Sequence, residues 1–361
     1  MNLTRTGSIA VVAVAAAILL SSCATNETPS GGASTSALSG TLSGIGSSAQ
    51  AAAETAWAAD FQTANSGATI NYDPQGSGAG RTSFISGAAD FAGSDAALKA
   101  EELATVSPLC AAGTKMIDLP VYISPIAVAY NLAGVTDLKL DATTIAGIFK
   151  GTITTWNDKA ITAQNPGVTL PSAKITVVHR SDDSGTTQNF TEYLSANAPA
   201  VWDAPAAQTY PYQVGDAAKG GSGVADAAKA TKNSIAYLDE SAATGLGIAE
   251  LKVGSSYVKI NAAGAADVVA KSPLADARGA NDLAIAIDRK NTDANAWPMV
   301  LVSYLIVCND YKDDAKGALV KAYATYVASS AGQASAAKAA GSAPLAPDLA
   351  TKVAAAVATI K

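Results

Sequence analysis

The segment from His179 to Thr187 constrains the fold of this chain more than any other stretch, because it joins a strand pattern to a helix pattern through a short polar turn. Apolar residues recur at helical spacing after Ser184, namely Phe190, Tyr193 and Leu194. Ser184 is therefore predicted to be the N-cap of a helix. A strand that leads into a capped helix is the repeating unit of α/β folds, and this class is predicted here.

The residues around this predicted helix start suit a small oxyanion. Unpaired backbone N–H groups and the positive end of the helix dipole attract anions at such a position. Gly185 lets the backbone approach a ligand closely, and Ser184 and Thr186 add hydroxyl donors. Arg180 can deliver a planar fork of N–H groups to the same point. The alternative interpretation is an ordinary capped helix beside a solvated arginine.

The N-terminus predicts export. Arg5 precedes an apolar run, Ile9–Leu20, which has the length of a signal-peptide core and is short for a membrane span. We therefore predict that residues 1–22 are a signal peptide. Leu20-Ser-Ser-Cys23 resembles a bacterial lipobox, in which Cys23 would carry the lipid, including palmitate, and the alternative is plain secretion with an unmodified cysteine. Residues 23–39 are predicted to be a flexible tether.

Composition and charge narrow the class of protein. Hydrophobic residues make up 49% and charged residues 15% of the chain, which is enough apolar material for two cores and too little charge for a solvated tail. The formal net charge is −6 and becomes −7 without residues 1–22, whose only charged side chain is Arg5. An acidic protein is a poor partner for nucleic acid, so specificity for an anion must come from local dipoles and hydrogen bonds.

The cysteines that follow Cys23 are Cys110 and Cys308, and an exported compartment permits a disulfide between them. The alternative is two separate buried thiols. Clustered metal ligands are absent from the sequence, which has a single histidine, and we predict neither a metal nor a cofactor. That histidine, His179, is interpreted as a strand-end residue without a chemical role.

Predicted strands and helices alternate along the mature chain. A glycine-rich turn at 44–48 leads into a helix that Ser48 is expected to cap, and Ala68–Asp73 is a predicted strand. Two long β-rich runs, Ile117–Asn131 and Pro298–Val307, are the candidates for strands that carry the chain between two lobes.

Further turns combine glycine with a hydroxyl or a carboxylate, at 44–48, 76–78 and 93–95. The second turn lacks the third glycine of a dinucleotide-binding fingerprint, since Arg81 stands there, and a P-loop sequence is absent. A serine hydrolase lacks a suitable base, because His179 adjoins Arg180 and has no evident nucleophile. The chain is therefore predicted to be a binding protein and not an enzyme.

Several short motifs follow one another along the chain. They are Gly44-x-Gly46-Ser47-Ser48, Gly76-Ser77-Gly78-x-Gly80, Asp90-Phe91-x-Gly93-Ser94-Asp95, Phe149-x-Gly151-x-Ile153-x-x-Trp156, Arg180-x-Asp182-x-Ser184-Gly185-Thr186 and Ala296-Trp297-Pro298. Their order resembles that of periplasmic phosphate-binding proteins over nearly the whole mature chain. The chain looks like the substrate-binding lipoprotein of a phosphate ABC importer of the high-GC Gram-positive type.

The resemblance implies that phosphate lies buried between two lobes. The implied ligands are hydroxyls, backbone N–H groups, a carboxylate and a guanidinium, from Ser48, Ala49, Ser77, Asp95, Arg180, Ser184, Gly185 and Thr186. Asp182 is similar to the family aspartate that orients the arginine. This chain departs from many members in having Ser48-Ala49 where they have Thr-Phe. Arg81 is a second departure. We interpret it as a solvated helix residue, and the alternative is that it adds positive potential near the mouth of the phosphate site.

Asp95 is the implied ligand that most restricts the anion. A buried carboxylate beside an anion is tolerable only if the anion donates a proton to it, which hydrogen phosphate can do and sulfate at neutral pH cannot. The alternative is that Asp95 caps its own turn. The rival functions are import of another oxyanion such as sulfate or molybdate, a secreted phosphatase, or an adhesion module on the same scaffold.

The expected architecture is a two-lobed α/β binding protein with two chain crossovers and the ligand in the cleft. Lobe one comprises residues 40–123 and 298–361, and lobe two comprises residues 124–297. The expected partners are inorganic phosphate and the permease and ATPase subunits of an ABC importer. The protein is expected to be a monomer held to the membrane by lipid on its extracytoplasmic side.

Overall fold

The computed structural model describes residues 38–361, in which strands and helices alternate as the sequence predicts. The strands are β1 (Ser39–Gly46), β2 (Gly67–Asp73), β3 (Phe91–Ser94), β4 (Met116–Asn131), β5 (Lys139–Leu140), β6 (Thr176–Arg180), β7 (Asp216–Ala218), β8 (Ser234–Asp239), β9 (Gly247–Ile248), β10 (Glu250–Val253), β11 (Ser256–Val258) and β12 (Val300–Cys308). The helices are α1 (Ala51–Ala64), α2 (Ser77–Ser86), α3 (Ala100–Leu103), α4 (Ala142–Lys150), α5 (Lys159–Thr162), α6 (Gly185–Asn197), α7 (Gly220–Ala230), α8 (Ala262–Lys271), α9 (Asp314–Ala328), α10 (Ser330–Ala340) and α11 (Pro347–Ala358). A 3₁₀ turn spans Glu240–Ala242.

The main sheet has the strand order β2-β1-β3-β12-β4-β8-β6-β7, with β9 also paired to β4. Strands β1, β2 and β3 pair in parallel, as do β6, β7 and β8. Strands β12 and β4 run antiparallel to their neighbours. The parallel strands of each group therefore end on one edge, which is where ligands bind in open α/β sheets.

Strand β4 is shared by two parts of the sheet. Its residues 116–125 pair with β12, and its residues 126–131 pair with β8. We call β2, β1, β3, β12 and residues 116–125 the first half-sheet, and residues 126–131, β8, β6 and β7 the second half-sheet. Both long β-rich runs of the sequence are strands, as predicted, although β12 begins at Val300 rather than at Pro298.

Small side chains let a helix lie close to the second half-sheet. Helix α7 packs against β6 and β8 through a buried cluster made mostly of alanine. Its members include Ala127, Ala129, Val178, Val224, Ala225, Ala228, Ala236 and Leu238. The alanine-rich composition is therefore used for close helix-to-sheet packing.

Two of the glycine turns allow backbone to lie against backbone in the first half-sheet. A Cβ at Gly46 would lie 1.9 Å from the carbonyl oxygen of Gly93, and a Cβ at Gly80 would lie 2.6 Å from Gly46 Cα. Any side chain at Gly46 or Gly80 would force these turns apart. The end of β1, the first turn of α2 and the end of β3 are brought together in this way.

Cys110 and Cys308 form a disulfide, which is one of the two alternatives that the sequence left open. Cys308 ends β12, and Cys110 forms an isolated bridge with Tyr311. Both cysteines are buried. The bond therefore joins chain segments 198 residues apart within the region of the first half-sheet.

The predicted signal peptide and Cys23 lie outside the described residues, and so does the predicted tether up to residue 37. Strand β1 begins at Ser39, the last residue assigned to the tether. From residue 38 onward, no helix is long and apolar enough to cross a membrane. The same part of the chain contains no group of three or more histidine, cysteine or acidic side chains that could hold a metal ion.

Candidate anion-binding site

The predicted ligand residues lie at the carboxyl ends of the parallel strands and at the first turns of the helices that follow. Ser48 and Ala49 follow β1, Asp95 follows β3, and Arg180 ends β6. Ser77 begins α2, and Ser184, Gly185 and Thr186 lie at the start of α6. All of these residues are buried except Ser48, which is half-buried. The structure therefore gathers residues from both half-sheets in one place.

Ser184 caps α6 as predicted. Its Oγ accepts a hydrogen bond from the backbone N–H of Thr187 at 3.1 Å. The hydroxyl of Thr187 lies 2.7 Å from that of Tyr237, which holds the first turn of the helix against β8. The N-terminus of α6 is thus fixed relative to the end of β6.

Arg180 and Asp182 are paired, which is the contact that the predicted orienting role requires. Arg180 Nε donates to Asp182 Oδ1 at 2.7 Å, and Arg180 Nη2 donates to Asp182 Oδ2. The backbone N–H of Gly220 donates to the same Oδ1 at 3.0 Å. Burial raises the pKa of Asp182, but the hydrogen bonds and the charge of Arg180 outweigh it and hold the pKa below its usual range. Asp182 engages only one edge of the guanidinium.

The Asp95 carboxylate is surrounded by hydroxyls from separate segments. Ser47 and Ser303 donate to its Oδ1, and Thr186 Oγ1 donates to its Oδ2 at 3.2 Å. Burial raises the pKa of the Asp95 carboxyl above its usual range. The hydrogen bonds from Ser303 and Ser47, followed by the charge of Arg180, act in the opposite direction. The carboxylate is therefore bonded by side chains of other segments and does not cap its own turn.

Close contacts join the two sides of the site. The Ser77 hydroxyl accepts a hydrogen bond from the Asp95 backbone N–H at 3.1 Å. A Cβ at Gly185 would lie 2.6 Å from Asp95 Cβ and 2.7 Å from Ser77 Oγ. Asn189 Nδ2 donates to the Asp95 carbonyl at 2.7 Å. Only a glycine at 185 permits this approach.

The prediction that Ser48 caps α1 is wrong. Gln50 occupies the N-cap position and makes no side-chain capping bond. The Ser48 hydroxyl instead accepts a hydrogen bond from the backbone N–H of Gly221 at 3.0 Å. Ser48 is therefore engaged by the first turn of α7, 173 residues away in the sequence.

A small cavity of about 20 Å³ lies where these elements meet. Its lining residues come from both half-sheets and are Ser48, Ala49, Arg180, Thr186, Gly221, Tyr237, Leu238, Asp239, Ser241 and Ala242. A groove of about 530 Å³ shares Ser48, Ser241 and Ala242 with it and is open to solvent. The cavity thus brings together four of the predicted ligand residues, and the groove adjoins it. The other predicted ligands, Ser77, Asp95, Ser184 and Gly185, are not among its lining residues.

Sequence reasoning missed several residues that complete the site. The first turn of α7 belongs to a glycine-rich segment, Lys219–Gly223, whose likeness to the other turns could have revealed it. Ser303 lies within the hydrophobic strand β12, and Asp239 ends β8. Neither residue has a local sequence pattern that marks it as functional.

Arg81 is not the solvated helix residue that we predicted, since it is 2% exposed. Its guanidinium donates from Nε to Glu102 and from Nη1 to Ser94, the residue before Asp95. Its Nη2 donates to Gln208 Oε1 at 3.0 Å. Arg81 therefore bridges α2 and the segment that follows α6, and it does not line the cavity.

His179 lies one residue before the end of β6. Its ring stacks on Tyr210 with the ring centroids 3.9 Å apart, and Nδ1 lies 2.9 Å from the Arg180 carbonyl. These contacts hold the end of β6 in place.

The fold and the site between the half-sheets define a two-lobed solute-binding protein. A family model described as a PBP superfamily domain matches residues 31–331. Among solved structures, a high-affinity periplasmic phosphate-binding protein bound with phosphate is similar, with a TM-score of 0.71 and 24% identity over 88% of this chain and 93% of that one. A phosphate-binding protein from Stenotrophomonas maltophilia has a TM-score of 0.69 and 22% identity over 88% and 93% of the respective chains.

Sequence comparison identifies the family more closely. The phosphate-binding protein PstS3 of Mycobacterium bovis BCG is 37% identical over 338 residues, which cover 90% of each chain. The corresponding protein of Mycobacterium leprae is 38% identical over 336 residues, again 90% of each chain. The chain belongs to the PstS family of phosphate-binding proteins.

Proposed function

We propose that this chain captures inorganic phosphate on the extracytoplasmic side of the membrane and delivers it to the permease and ATPase subunits of an ABC importer. The observation that carries the proposal is that Thr186 links Arg180 and Asp95, because it lines the same cavity as Arg180 and its hydroxyl donates to the Asp95 carboxylate. An anion that contacts both must accept hydrogen bonds from the guanidinium and donate one to the carboxylate, which hydrogen phosphate does. The relatives are named as phosphate-binding proteins and not as enzymes, which supports the proposal.

The proposed ligands act from both sides of the cavity. Ser48 Oγ, Ser77 Oγ and the backbone N–H of Ala49 would donate from the first side, where Asp95 accepts the proton of the anion. Arg180 would donate through the edge that Asp182 leaves open. The hydroxyl of Ser184 and the N–H groups at the start of α6, including those of Gly185 and Thr186, would donate from the second side.

We propose that the two lobes are residues 40–123 with 298–361 and residues 124–297, and that they close around the ion by a hinge motion. The change of partner along β4 between residues 125 and 126 supports the first crossover. The start of β12 at Val300 supports the second. In the closed form the donors act in a medium of low dielectric, where each hydrogen bond to the anion is stronger.

Equilibrium binding of radiolabelled phosphate to the mature protein, with sulfate, molybdate and arsenate as competitors, tests the function. Arg180→Ala should weaken phosphate binding by at least about 2 kcal/mol, because the site loses its charged donor. Lys338→Ala removes an exposed positive charge on α10 and serves as the control for net charge. Displacement of phosphate by equimolar sulfate or molybdate would show that the chain serves another oxyanion.

We also propose that the protein is a monomer held at the membrane by lipid on Cys23, with the following residues as a tether. Cell fractionation of Cys23→Ser tests the anchor. The variant should appear in the medium and bind phosphate with unchanged affinity, because the tether separates the lipid from the fold. Retention of the variant in the membrane fraction at the wild-type level would refute the anchor.

A further inference from the structure

Asp239 is a buried carboxylate that the proposed set of phosphate ligands does not use. It ends β8, is 3% exposed and lines the same cavity as Arg180 and Thr186. Its carboxylate accepts hydrogen bonds from Ser241 N at 3.0 Å and from Tyr122 OH at 3.2 Å. Within the part of the chain that the structure describes, no lysine or arginine forms an ion pair with it. Asp239 is therefore a negative charge at an anion site with only neutral partners.

A cross-strand pair connects Asp239 to Asp95. Ser303 on β12 lies opposite Tyr122 on β4, next to an irregularity in the register of these strands. The Ser303 hydroxyl donates to Asp95, and the Tyr122 hydroxyl donates to Asp239. Irregular strand pairing of this kind is frequent beside binding sites because it redirects side chains. Each of the two carboxylates is thus bonded by one member of the Ser303–Tyr122 pair in the main sheet.

The charged groups around the cavity leave it with an excess of negative charge. Arg180 is the guanidinium that lines it, and Asp182 already neutralises that charge. Asp239 adds a further carboxylate to the lining, and Asp95 lies next to the lining through its bond from the Thr186 hydroxyl. Helix α7, which also packs against the 3₁₀ turn after Asp239, contributes Asp226 and Lys229. These two side chains line the outer groove and not the cavity.

We propose that Asp239 determines the pH dependence of anion binding by taking up a proton from solvent when the anion binds and releasing it when the anion leaves. This inference rests on the proposed function. A neutral Asp239 removes the repulsion between its carboxylate and the bound anion, and its hydroxyl becomes a donor.

The surroundings of Asp239 bring the pKa of its carboxyl group close to neutral pH. Burial raises the pKa of Asp239 to about 6, with a smaller upward contribution from the charge of Asp95. Hydrogen bonds from Ser241 and Ser124 act in the opposite direction. A bound anion raises the pKa further. The contribution of Asp239 should therefore strengthen binding as the pH falls towards about 6 and then level off, because below this pH Asp239 is protonated with and without ligand.

Asp239→Asn tests the proposal. Phosphate itself titrates in this range, but the ratio of variant to wild-type affinity cancels that effect. Near about pH 8 the variant should bind phosphate at least about tenfold more tightly than the wild type, since a charge within contact range shifts a pKa by about one unit or more. Near about pH 5 the two proteins should bind equally. A ratio that does not change with pH would overturn the proposal.

Calorimetry gives a second measurement. Titration with phosphate near about pH 7, in two buffers with different enthalpies of ionisation, counts the protons taken up on binding. Uptake should be smaller in Asp239→Asn than in the wild type, and equal uptake in both proteins would contradict the proposal. A wild-type protein that bound no phosphate at any pH would refute the proposed function instead.

Glu54→Gln is the matched control. Glu54 is also a buried carboxyl group that accepts a hydrogen bond from a tyrosine, Tyr323 OH at 2.7 Å, but it does not line the cavity. Burial raises the pKa of Glu54 to about 8, so it is already neutral near about pH 7. This variant should keep the proton uptake of the wild type.

If Asp239→Asn does not fold, Tyr122→Phe decides the question. Loss of the tyrosine hydroxyl removes a donor to the ionised carboxylate and should raise the pKa of Asp239. The pH at which the affinity levels off should then move upward. An unchanged profile would overturn the proposal.

Discussion

At the scale of single residues, the hydrogen-bond partners of Asp95 explain how a carboxylate fits the proposed anion site. Serine hydroxyls occupy its Oδ1 and a threonine hydroxyl reaches its Oδ2, so these bonds hold the group in one orientation. A ligand without a proton would place an acceptor against this acceptor. An unpaired buried polar group costs about 1 to 3 kcal/mol, and a charged one costs more.

Asp95→Asn is therefore expected to relax selectivity. An amide can donate to sulfate, so the variant should bind sulfate measurably and lose part of its affinity for phosphate. Sites that require a particular hydrogen bond discriminate between ligands by about four to five orders of magnitude. This sets the largest possible change in the ratio of phosphate affinity to sulfate affinity. Competition between labelled phosphate and sulfate measures it, with the exposed Asp216→Asn as the charge-matched control. Undetectable sulfate binding together with intact phosphate binding would contradict the selectivity argument.

At the scale of elements, prediction succeeded where the signal is local. The long runs of β4 and β12 and the cap of α6 follow from periodicity and from one polar residue at a helix start. The cap predicted at Ser48 was wrong because its hydroxyl pairs with Gly221, a residue distant in sequence. Ser303 could not be predicted, since its role arises only when β12 is placed beside β3. The roles of Ser48 and Ser303 depend on contacts between residues distant in sequence, and no local sequence pattern reveals these contacts.

The contact between Arg81 and Gln208 has a consequence for closure. Arg81 lies on α2, whereas Gln208 follows α6, so their hydrogen bond spans the two sides of the site. If the lobes separate without ligand, this bond forms only on closure and contributes to affinity. Gln208→Ala should then weaken phosphate binding by about 1 kcal/mol or more, since a hydrogen bond to a charged group is lost.

Two measurements on Gln208→Ala distinguish closure from ordinary stabilisation. Its melting temperature without phosphate should fall only slightly, because the open protein lacks the bond to Arg81 and keeps only the side-chain bond from Gln208 Nε2 to Gln188 Oε1. Glu102→Gln is the comparison, since it removes a partner of Arg81 on the same side of the cleft and should lower stability rather than affinity. Unchanged phosphate affinity with a lowered melting temperature in Gln208→Ala would show that the bond does not report on closure.

At the scale of the whole molecule, the two halves are joined through one sheet and differ in how they are stabilised. Strand β4 runs through both, and the proposed hinge motion would bend the chain near residues 125 and 126, where β4 changes its partner. The disulfide lies at the end of the β4–β12 pairing that is opposite residue 125, where Cys308 pairs with Met116. Both cysteines therefore lie in the region of the first half-sheet.

Removal of the disulfide should separate stability from function. Replacing both Cys110 and Cys308 by alanine should lower the free energy of unfolding, because the bond constrains a segment of 198 residues in the unfolded chain. The chain-entropy model puts this contribution at about 4 to 5 kcal/mol, an upper value for most measured cases. Phosphate affinity should stay within about twofold of the wild type, because neither cysteine lines the cavity and the hinge is untouched. Denaturant unfolding and equilibrium phosphate binding on the same preparations measure the two quantities. A large loss of affinity in a variant that is still folded would mean that the bond stabilises the closed cleft, and hence that the two halves are mechanically coupled through β12.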